Sequence, residues 1–499
     1  MSPIRKPRGL PRAAAILSAA ILSACAVGPN FKRPAAPMVS DYTSPPLGGT
    51  TATPNTGAGE AQRFLKGSDV TGDWWTLYHS QPLDELIAQS LTANPDLGAA
   101  RAALSVAREN VLSQRGAYYP SLSAGFSASR QRQSGQIAPA PNSNLFLYNL
   151  FTPQVSVSYV PDVFGLNRRT VESLGAQAEE ARFQLIATYN TLTSNVVVTA
   201  IQEASLEAQV KATQELIDIN KHLLDILQYQ FAKGYASRLD VAAQETQLAQ
   251  VLATLPPLVK QLAQLRDLLA VLAGHFPADS PAAHFELTSL TLPQDLPLSL
   301  PSALVEQRPD VRQAQANLHD ASAKIGIAIA NRFPNITLSA NTGSTALAMN
   351  ELFTTGTGFW SIGAELTAPI FQGGTLLHQE HAAKAAYRQA AEQYRGTVLA
   401  AFQDVADTLA ALDQDAEGLK AASAAEAAAK VSLDLAQEQY QRGYASFLAL
   451  LNAEQAYQQA RVALVQAQAA RLADSAALFQ ALGGGWWHRP DLASDADAK

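Results

Sequence analysis

The sequence predicts a mainly α-helical chain that also carries four β-strands, built as two copies of one structural unit. The chain has 499 residues. The motif Gly-Tyr-Ala-Ser at 234–237 returns at 443–446, and Asn-Pro-Asp-Leu at 94–97 returns as Arg-Pro-Asp-Val at 308–311. Both recur after about 210 residues, whereas the repeats of solenoid proteins are about 20–50 residues long. Two large homologous halves therefore describe the chain better than an array of short repeats.

The N-terminus has the layout of a bacterial lipoprotein signal. Basic residues up to Arg12 precede an apolar stretch at 13–24, which is too short to span a bilayer. Leu-Ser-Ala-Cys at 22–25 resembles a lipobox, and Cys25 is the only cysteine of the chain. We expect residues 1–24 to be removed as a signal peptide and Cys25 to be acylated; the alternative is a buried thiol. Residues 25–80 are predicted to form an extended, lipidated N-terminal segment, since most of this stretch is rich in Pro, Gly, Ser and Thr.

Composition argues against several classes of function. The formal net charge is −7, and no basic stripe of the kind that binds nucleic acid is present. A single cysteine cannot form an intrachain disulfide or a cysteine-based metal site. His378 and His381 lack a third ligand, so a solvated helix face is expected there. No phosphate-binding loop or nucleophile elbow occurs, so no catalytic residue, metal site or cofactor other than the lipid is predicted.

Each half carries one predicted β-hairpin. Apolar and polar residues alternate at about 120–130 and 152–161 in the first half, and at about 334–343 and 358–369 in the second. Alternation over about ten residues is typical of strands that cross an outer membrane. Four such strands cannot stand alone in a bilayer, because an open sheet edge leaves backbone groups unpaired in hydrocarbon. Several copies of the chain must therefore pool their strands.

Each half also carries one predicted helical hairpin. The bounds are about 166–232 and 237–273 in the first half, and about 374–441 and 446–482 in the second. Apolar residues follow heptad spacing, and a helix over 166–232 would be about 100 Å long at 1.5 Å per residue. Gly234 and Gly443 are placed to end the outgoing helices, and Ser237 and Ser446 to cap the returning ones.

Several motifs, in the same order along the mature chain, resemble those of the TolC-like outer-membrane factors of tripartite efflux pumps, in particular the lipoprotein branch. These motifs are Val-Gly-Pro-Asn-Phe at 27–31, Trp74-Trp75, residues 94–97 and 308–312, Phe333-Pro334, Pro369-Ile370-Phe371, and the closing residues 481–486. The resemblance covers essentially the whole mature chain. The internal duplication divides the chain into a first repeat at 81–290, a second repeat at 291–482 and a C-terminal tail at 483–499.

The resemblance implies a fold, a location and partners. Three copies would form a twelve-strand β-barrel, with four strands from each chain, continued by a twelve-helix α-barrel that closes at its periplasmic tip. The protein would be lipid-anchored in the outer membrane of a Gram-negative bacterium. It would conduct drugs or other small molecules passively from an inner-membrane transporter of the resistance-nodulation-division class, which a periplasmic adaptor joins to the duct.

The same resemblance places a candidate gate just after the two tip turns. The positions are Asp240 in the first hairpin, and Leu448 and Asn452 in the second. The alternatives are a helix-start residue for Asp240 and a heptad core residue for Leu448. An aspartate is common in the family where Asn452 stands, and three asparagines cannot form an anionic ring. The expected adaptor contacts are the tip residues Gly234, Tyr235, Ser237, Gly443, Tyr444 and Ser446.

Other functions stay open at this point. The chain could serve a type I secretion system or a metal-efflux system. A periplasmic adaptor would carry one helical hairpin where this chain repeats two. A coiled-coil lipoprotein without a pore would leave both β-hairpins unexplained.

Overall fold

The structure is a computed structural model that describes residues 27–44, 48–136, 145–279 and 284–493. The predicted signal peptide and Cys25 lie outside the described residues. The described strands are β1 (Arg63–Lys66), β2 (Ser121–Arg132), β3 (Leu147–Tyr159), β4 (Asp295–Leu298), β5 (Asn335–Ser344) and β6 (Gly358–Thr367). The described α-helices are α1 (Gln81–Ala93), α2 (Pro95–Arg115), α3 (Leu166–Ala232), α4 (Arg238–Leu272), α5 (Pro301–Gln307), α6 (Pro309–Ala330), α7 (Thr375–Gln441), α8 (Phe447–Ala481) and α9 (Pro490–Ala493). Over these ranges, no helix has both the length and the apolar character needed to cross a membrane.

The chain divides into two compact units, and each unit takes segments from both repeats. The strand unit consists of Met1–Arg33, Leu104–Ala181 and Ala314–Tyr394, and the tip unit consists of Pro34–Ala103, Arg182–Gln313 and Arg395–Lys499. The repeats at 81–290 and 291–482 are therefore equivalent stretches of sequence and not separate compact bodies.

The strand unit contains one antiparallel sheet with the order β2-β3-β5-β6. Its register aligns the apolar residues of all four strands: Leu122 lies opposite Val157, Val157 opposite Ala340, and Ala340 opposite Ile362. Because side chains alternate between the two faces of a sheet, this row lies on one face. Leu122 and Ile362 are exposed to solvent in the single chain. The predicted alternation thus produces one exposed apolar face.

The two predicted hairpins are present, but their strands differ from the expected bounds. The strand β3 begins at Leu147, five residues before the predicted start at 152, and ends at Tyr159 rather than at 161. The earlier start was not predicted because of Pro153: proline lacks the N–H that a central strand uses, so its presence argues against a strand. In the structure, Pro153 pairs with Phe126 of β2, while the ladder with β5 begins only at Gln154. Pairing on that side resumes in the same register at Phe151, whose N–H donates to the carbonyl of Ala346 at 2.9 Å, so the missing N–H of Pro153 leaves a gap in the ladder.

A short parallel pair of strands in the tip unit was not predicted. The strand β1 pairs with β4 in the register Arg63 to Asp295, and the side chains of these two residues form an ion pair at 2.7 Å. Just before β1, the buried Gln62 donates through its Nε2 atom to the carbonyl of Pro293 at 2.9 Å. The prediction of four strands per chain was thus incomplete, and part of the extended N-terminal segment is bound by sheet hydrogen bonds.

The long helices form two hairpins, α3 with α4 and α7 with α8. The heptad positions of α3 include buried polar residues, and Asn220 is one of them. Gln244 of α4 donates through its Nε2 atom to the backbone carbonyl of Asn220 at 3.0 Å and to its side-chain oxygen at 2.9 Å. Leu216, Ile217 and Val251 form an apolar cluster in the same hairpin. Gln244 thus links the two helices through a buried amide, while its side-chain oxygen has no hydrogen-bond partner among the described residues.

Candidate functional site at the hairpin tips

The two tip turns have nearly identical backbone geometry. Gly234 and Gly443 have φ angles of +79° and +77°, in the left-handed region that residues with a Cβ atom avoid. In the first turn the N–H of Tyr235 donates to the carbonyl of Gln230 at 2.9 Å, and in the second Tyr444 repeats this bond to Gln439 at 2.9 Å. These bonds close both helices with a Schellman motif. The rings of Tyr235 and Tyr444 are exposed.

The returning helices are capped differently in the two hairpins. Ser237 accepts the N–H of Asp240 at 3.1 Å, and the Asp240 carboxylate accepts the N–H of Ser237 at 3.0 Å, which completes a capping box. Ser446 accepts the N–H of Ala449 at 3.2 Å, but alanine offers no carboxylate in return. The Asp240 carboxylate therefore caps its own helix, as the helix-start alternative requires.

Leu448 is exposed in the single chain, as is Ala449 directly after it. Its side chain is 63% exposed, whereas Phe447 and Leu450 are buried. Leu448 therefore does not belong to the apolar core of its own hairpin. Asn452 lies one helical turn further on and is also exposed.

Leu239 holds the same place in the first repeat as Leu448 holds in the second, and sequence reasoning missed it. Both leucines are the second residue after the capping serine, and Leu239 is 76% exposed. The signal that would have found it is the repeat itself, since the motif at 234–237 aligns the two positions. Each returning helix thus presents one exposed leucine in its first turn.

An apolar cluster joins the two hairpins behind the tips. Its buried members, drawn from all four long helices, are Leu227, Val241, Leu433, Phe447 and Leu450. Two polar contacts between the hairpins accompany the cluster: Gln455 donates to Gln247 at 2.8 Å, and Arg461 forms an ion pair with Glu215 at 3.1 Å. The four long helices are therefore packed together at this end.

Glu454 is a buried carboxyl group near this cluster. Its residue is 3% exposed, and neither carboxylate oxygen accepts a hydrogen bond from the described residues. Burial raises the pKa of Glu454 to about 7, because the charged form loses its hydration. Glu245 holds the equivalent position of the first repeat and is exposed. The two halves thus differ in the burial of the glutamate that follows the tip turn.

Among the described residues, one group of three side chains lies close enough together to hold a metal ion: Glu203, Glu207 and His284. Arg266 already lies within it, at 2.9 Å from a Glu203 oxygen and 2.5 Å from a Glu207 oxygen. A guanidinium that neutralises both carboxylates leaves this group poorly suited to a cation.

His378 and His381 are both exposed, as the sequence predicts for a solvated helix face. The two rings are 6.0 Å apart, and between them in sequence Glu380 is buried. Its carboxylate pairs with Arg332 and Lys384. These two cations hold the pKa of Glu380 below its usual range.

An amphipathic sheet with two open edges, together with two capped helical hairpins, is the architecture of an outer-membrane channel subunit. The sequence pattern described as "Outer membrane efflux protein" matches residues 86–275 and 300–484. The chain belongs to this family.

Relatives and solved structures agree with this assignment. The chain is 30% identical over 447 residues to the pyoverdine export outer membrane protein OpmQ of Pseudomonas aeruginosa, which covers 89% of this chain and 94% of the relative. It is 30% identical over 483 residues to the toluene efflux pump outer membrane protein TtgC of Pseudomonas putida, with 96% of each covered. The fold matches the Campylobacter jejuni CmeC outer membrane channel with a TM-score of 0.83 at 21% identity, covering 94% of this chain and 97% of that one.

Proposed function

We propose that the protein is the passive exit duct of a tripartite efflux system. The observation that carries the proposal is the sheet β2-β3-β5-β6, which exposes an apolar face and whose edge strands β2 and β6 find no further strand partner in the described part of the chain. Such a sheet is stable in hydrocarbon only as part of a closed barrel. A barrel shared by several chains and continued by their long helices encloses a path for solutes.

Three copies complete this barrel in the proposal. The edge strands are β2 and β6, so β2 of one copy pairs with β6 of the next in a head-to-tail ring. Because the smallest closed membrane barrels have about eight strands, one chain with four is insufficient. Three chains give the twelve strands that the family resemblance implies.

The hairpin tips supply the gate and the adaptor contacts. Leu448 and Leu239 converge from each copy into a constriction, since an exposed apolar side chain is stabilised by burial against its equivalents. Asn452 lies one turn beyond Leu448. Asp240 supports the gate by capping the helix that carries Leu239. Outside the constriction, the exposed rings of Tyr235 and Tyr444 provide the contact surface for a periplasmic adaptor, which connects the duct to a resistance-nodulation-division transporter.

Acylation of Cys25 anchors each copy to the inner leaflet of the outer membrane. The lipobox and the leader at 1–24 support this part of the proposal. The duct itself needs no cofactor and catalyses no reaction. The cargo is not assigned, because relatives of equal identity are named for pyoverdine export and for toluene efflux.

An efflux assay tests the proposed function. The protein is expressed together with its adaptor and pump in a Gram-negative host that lacks its own outer-membrane efflux proteins. We expect ethidium accumulation to fall several-fold relative to the same strain without the duct, because pumped dye then leaves across the outer membrane. Equal accumulation with and without the protein, for ethidium and for a panel of antibiotics, would contradict the proposal.

A further inference from the structure

A buried arginine near the start of α3 binds the first described residues of the chain. Arg169 is 3% exposed, and its Nε atom donates to the carbonyl of Val27 at 3.1 Å. Its Nη2 atom donates to the carbonyl of Gly28 at 3.2 Å and to the side-chain oxygen of Asn30 at 2.9 Å. One guanidinium thus holds the segment 27–31 mainly through the backbone, independently of the side chain at position 27.

Two further side chains complete the binding site. The Nη1 atom of Arg169 lies 2.6 Å from one oxygen of Glu172, and the other oxygen of Glu172 lies 3.0 Å from Nε2 of His319. The ring of Phe31 stacks on the His319 imidazole, with the ring centroids 4.3 Å apart and an interplanar angle of 15°. The carboxylate balances the buried arginine charge, and the stacked pair holds the other end of the segment.

Two glycines allow the segment to approach this closely. Gly28 has a φ angle of +94°, and a Cβ atom there would lie 2.5 Å from the Cα atom of Gly326. A Cβ atom on Gly326 would in turn lie 2.8 Å from the side chain of Arg169. Both distances are shorter than atoms tolerate, so the site requires glycine on the segment and glycine on the helix α6 that receives it.

The bound segment begins beside the end of a membrane strand. The N–H of Val27 donates to the carbonyl of Phe164 at 3.2 Å, and Phe164 lies between the last residue of β3 and the first residue of α3. Cys25 precedes Val27 by two residues, so their Cα atoms are at most about 7.6 Å apart along a trans chain. An acyl group on Cys25 would therefore be attached only two residues before the N–H that binds this loop.

We propose that Arg169, Glu172, His319 and Gly326 form an anchor clasp, a binding site for the processed N-terminal segment that fixes where the acyl chains of Cys25 leave the protein. The anchoring role rests on the proposed lipidation. Without the clasp, the residues after Cys25 would form a flexible tether, and the lipid could move relative to the sheet. With the clasp occupied, the lipid attachment stays within two residues of the loop that follows β3.

Limited proteolysis of the full-length protein in detergent tests the clasp. Endoproteinase Lys-C cleaves after Lys32, which is exposed directly beyond the bound segment, and leaves a body that begins at Arg33. Arg169→Gln removes the guanidinium, and Gly28→Ala brings a Cβ atom against the backbone of Gly326. We expect this body to appear at least about tenfold faster in either variant than in wild type, because cleavage requires the segment to detach. Arg168→Gln, at the exposed neighbouring arginine, should match wild type.

Cleavage at the other lysines of each sample serves as the reference for general unfolding. Unchanged cleavage after Lys32 in both Arg169→Gln and Gly28→Ala overturns the clasp. The mass of the released peptide 25–32 tests lipidation separately in the same digest. An acylated peptide supports the anchoring role, whereas an unmodified peptide from wild type overturns lipidation and anchoring, and the cleavage ratios still decide whether the clasp binds the segment.

Discussion

At the residue scale, the exposed leucines after the tip turns bear most directly on gating. Leu239 and Leu448 each follow a capping serine by two positions, and both side chains face solvent in the single chain. Isolated exposed leucines are common on protein surfaces, but two at repeat-equivalent positions beside a buried cluster are better explained by a shared environment in the assembly. Truncating them should therefore affect the assembled tip and leave each hairpin folded.

We predict that Leu448→Ala makes the duct leak. Removing the apolar side chains widens the constriction, so single-channel conductance in a planar bilayer should rise and cells should become more sensitive to vancomycin. The double variant with Leu239→Ala should leak more than either single variant. Leu399→Ala, at an exposed leucine of α7 far along the chain from the tip, is the control. If Leu448→Ala conducts like wild type and like this control, the gate assignment is wrong.

Sequence reasoning could predict some of these side chains and not others. The cap at Ser237 and the helix-start role of Asp240 follow from local sequence, because capping depends on neighbouring residues. The burial of Glu454 could not be predicted, because Glu245 follows the same turn at the same distance and is exposed. The difference arises from packing between the two hairpins, which local sequence does not record.

At the scale of elements, a carboxyl pair lies between α7 and α8. Burial, together with a hydrogen bond and the charge of Asp415, raises the pKa of Asp474 to about 7. Arg471, one turn earlier on α8, is buried and donates to the N-terminal segment at Thr50, Ala58, Glu60 and Gln62. The carboxyl pair therefore lies about one helical turn from the arginine that binds this segment.

We predict that this pair makes stability depend on pH. The pKa of Asp474 is raised in the folded state, so the protonated carboxyl group stabilises the fold. Its contribution to the free energy of unfolding is complete below the usual carboxyl pKa and is lost as pH rises towards 7. Asp474→Asn should flatten the fall in melting temperature between pH 4 and pH 8 and raise the midpoint at pH 8 by roughly 2–4 °C. Circular dichroism in detergent measures this. Asp407→Asn, at an exposed position of α7, should change neither quantity, and identical profiles for both variants would contradict the assignment.

Elements with strong local signals were found close to their predicted places. The helix α3 covers Leu166–Ala232, where a proline-free heptad pattern ends at Gly234. The helix α4 continues through Pro256 and Pro257, although interior prolines usually break or kink a helix. The pair β1 and β4 was missed because each strand has only four residues and their pairing joins distant parts of the chain.

At the scale of the whole molecule, the duplication explains why the chain has two β-hairpins and two helical hairpins. In our proposal, association between copies explains how these hairpins form a duct. Each repeat contributes two strands to one sheet and one helical hairpin to the tip cluster. The division into a strand unit and a tip unit cannot be predicted from the repeat alone, because both units combine segments from both halves. Among the described residues, the outer edges of β2 and β6 pair with no further strand, and in our proposal other copies of the chain supply the missing partners.

Native mass spectrometry of the full-length protein, extracted from outer membranes in detergent, measures how many copies complete the sheet. The unprocessed chain has a mass of 53.0 kDa. Our account predicts a complex of three processed, acylated chains that survives detergent and dissociates to single chains on heating. A single chain, or a protein that leaves the membrane without detergent, would contradict it.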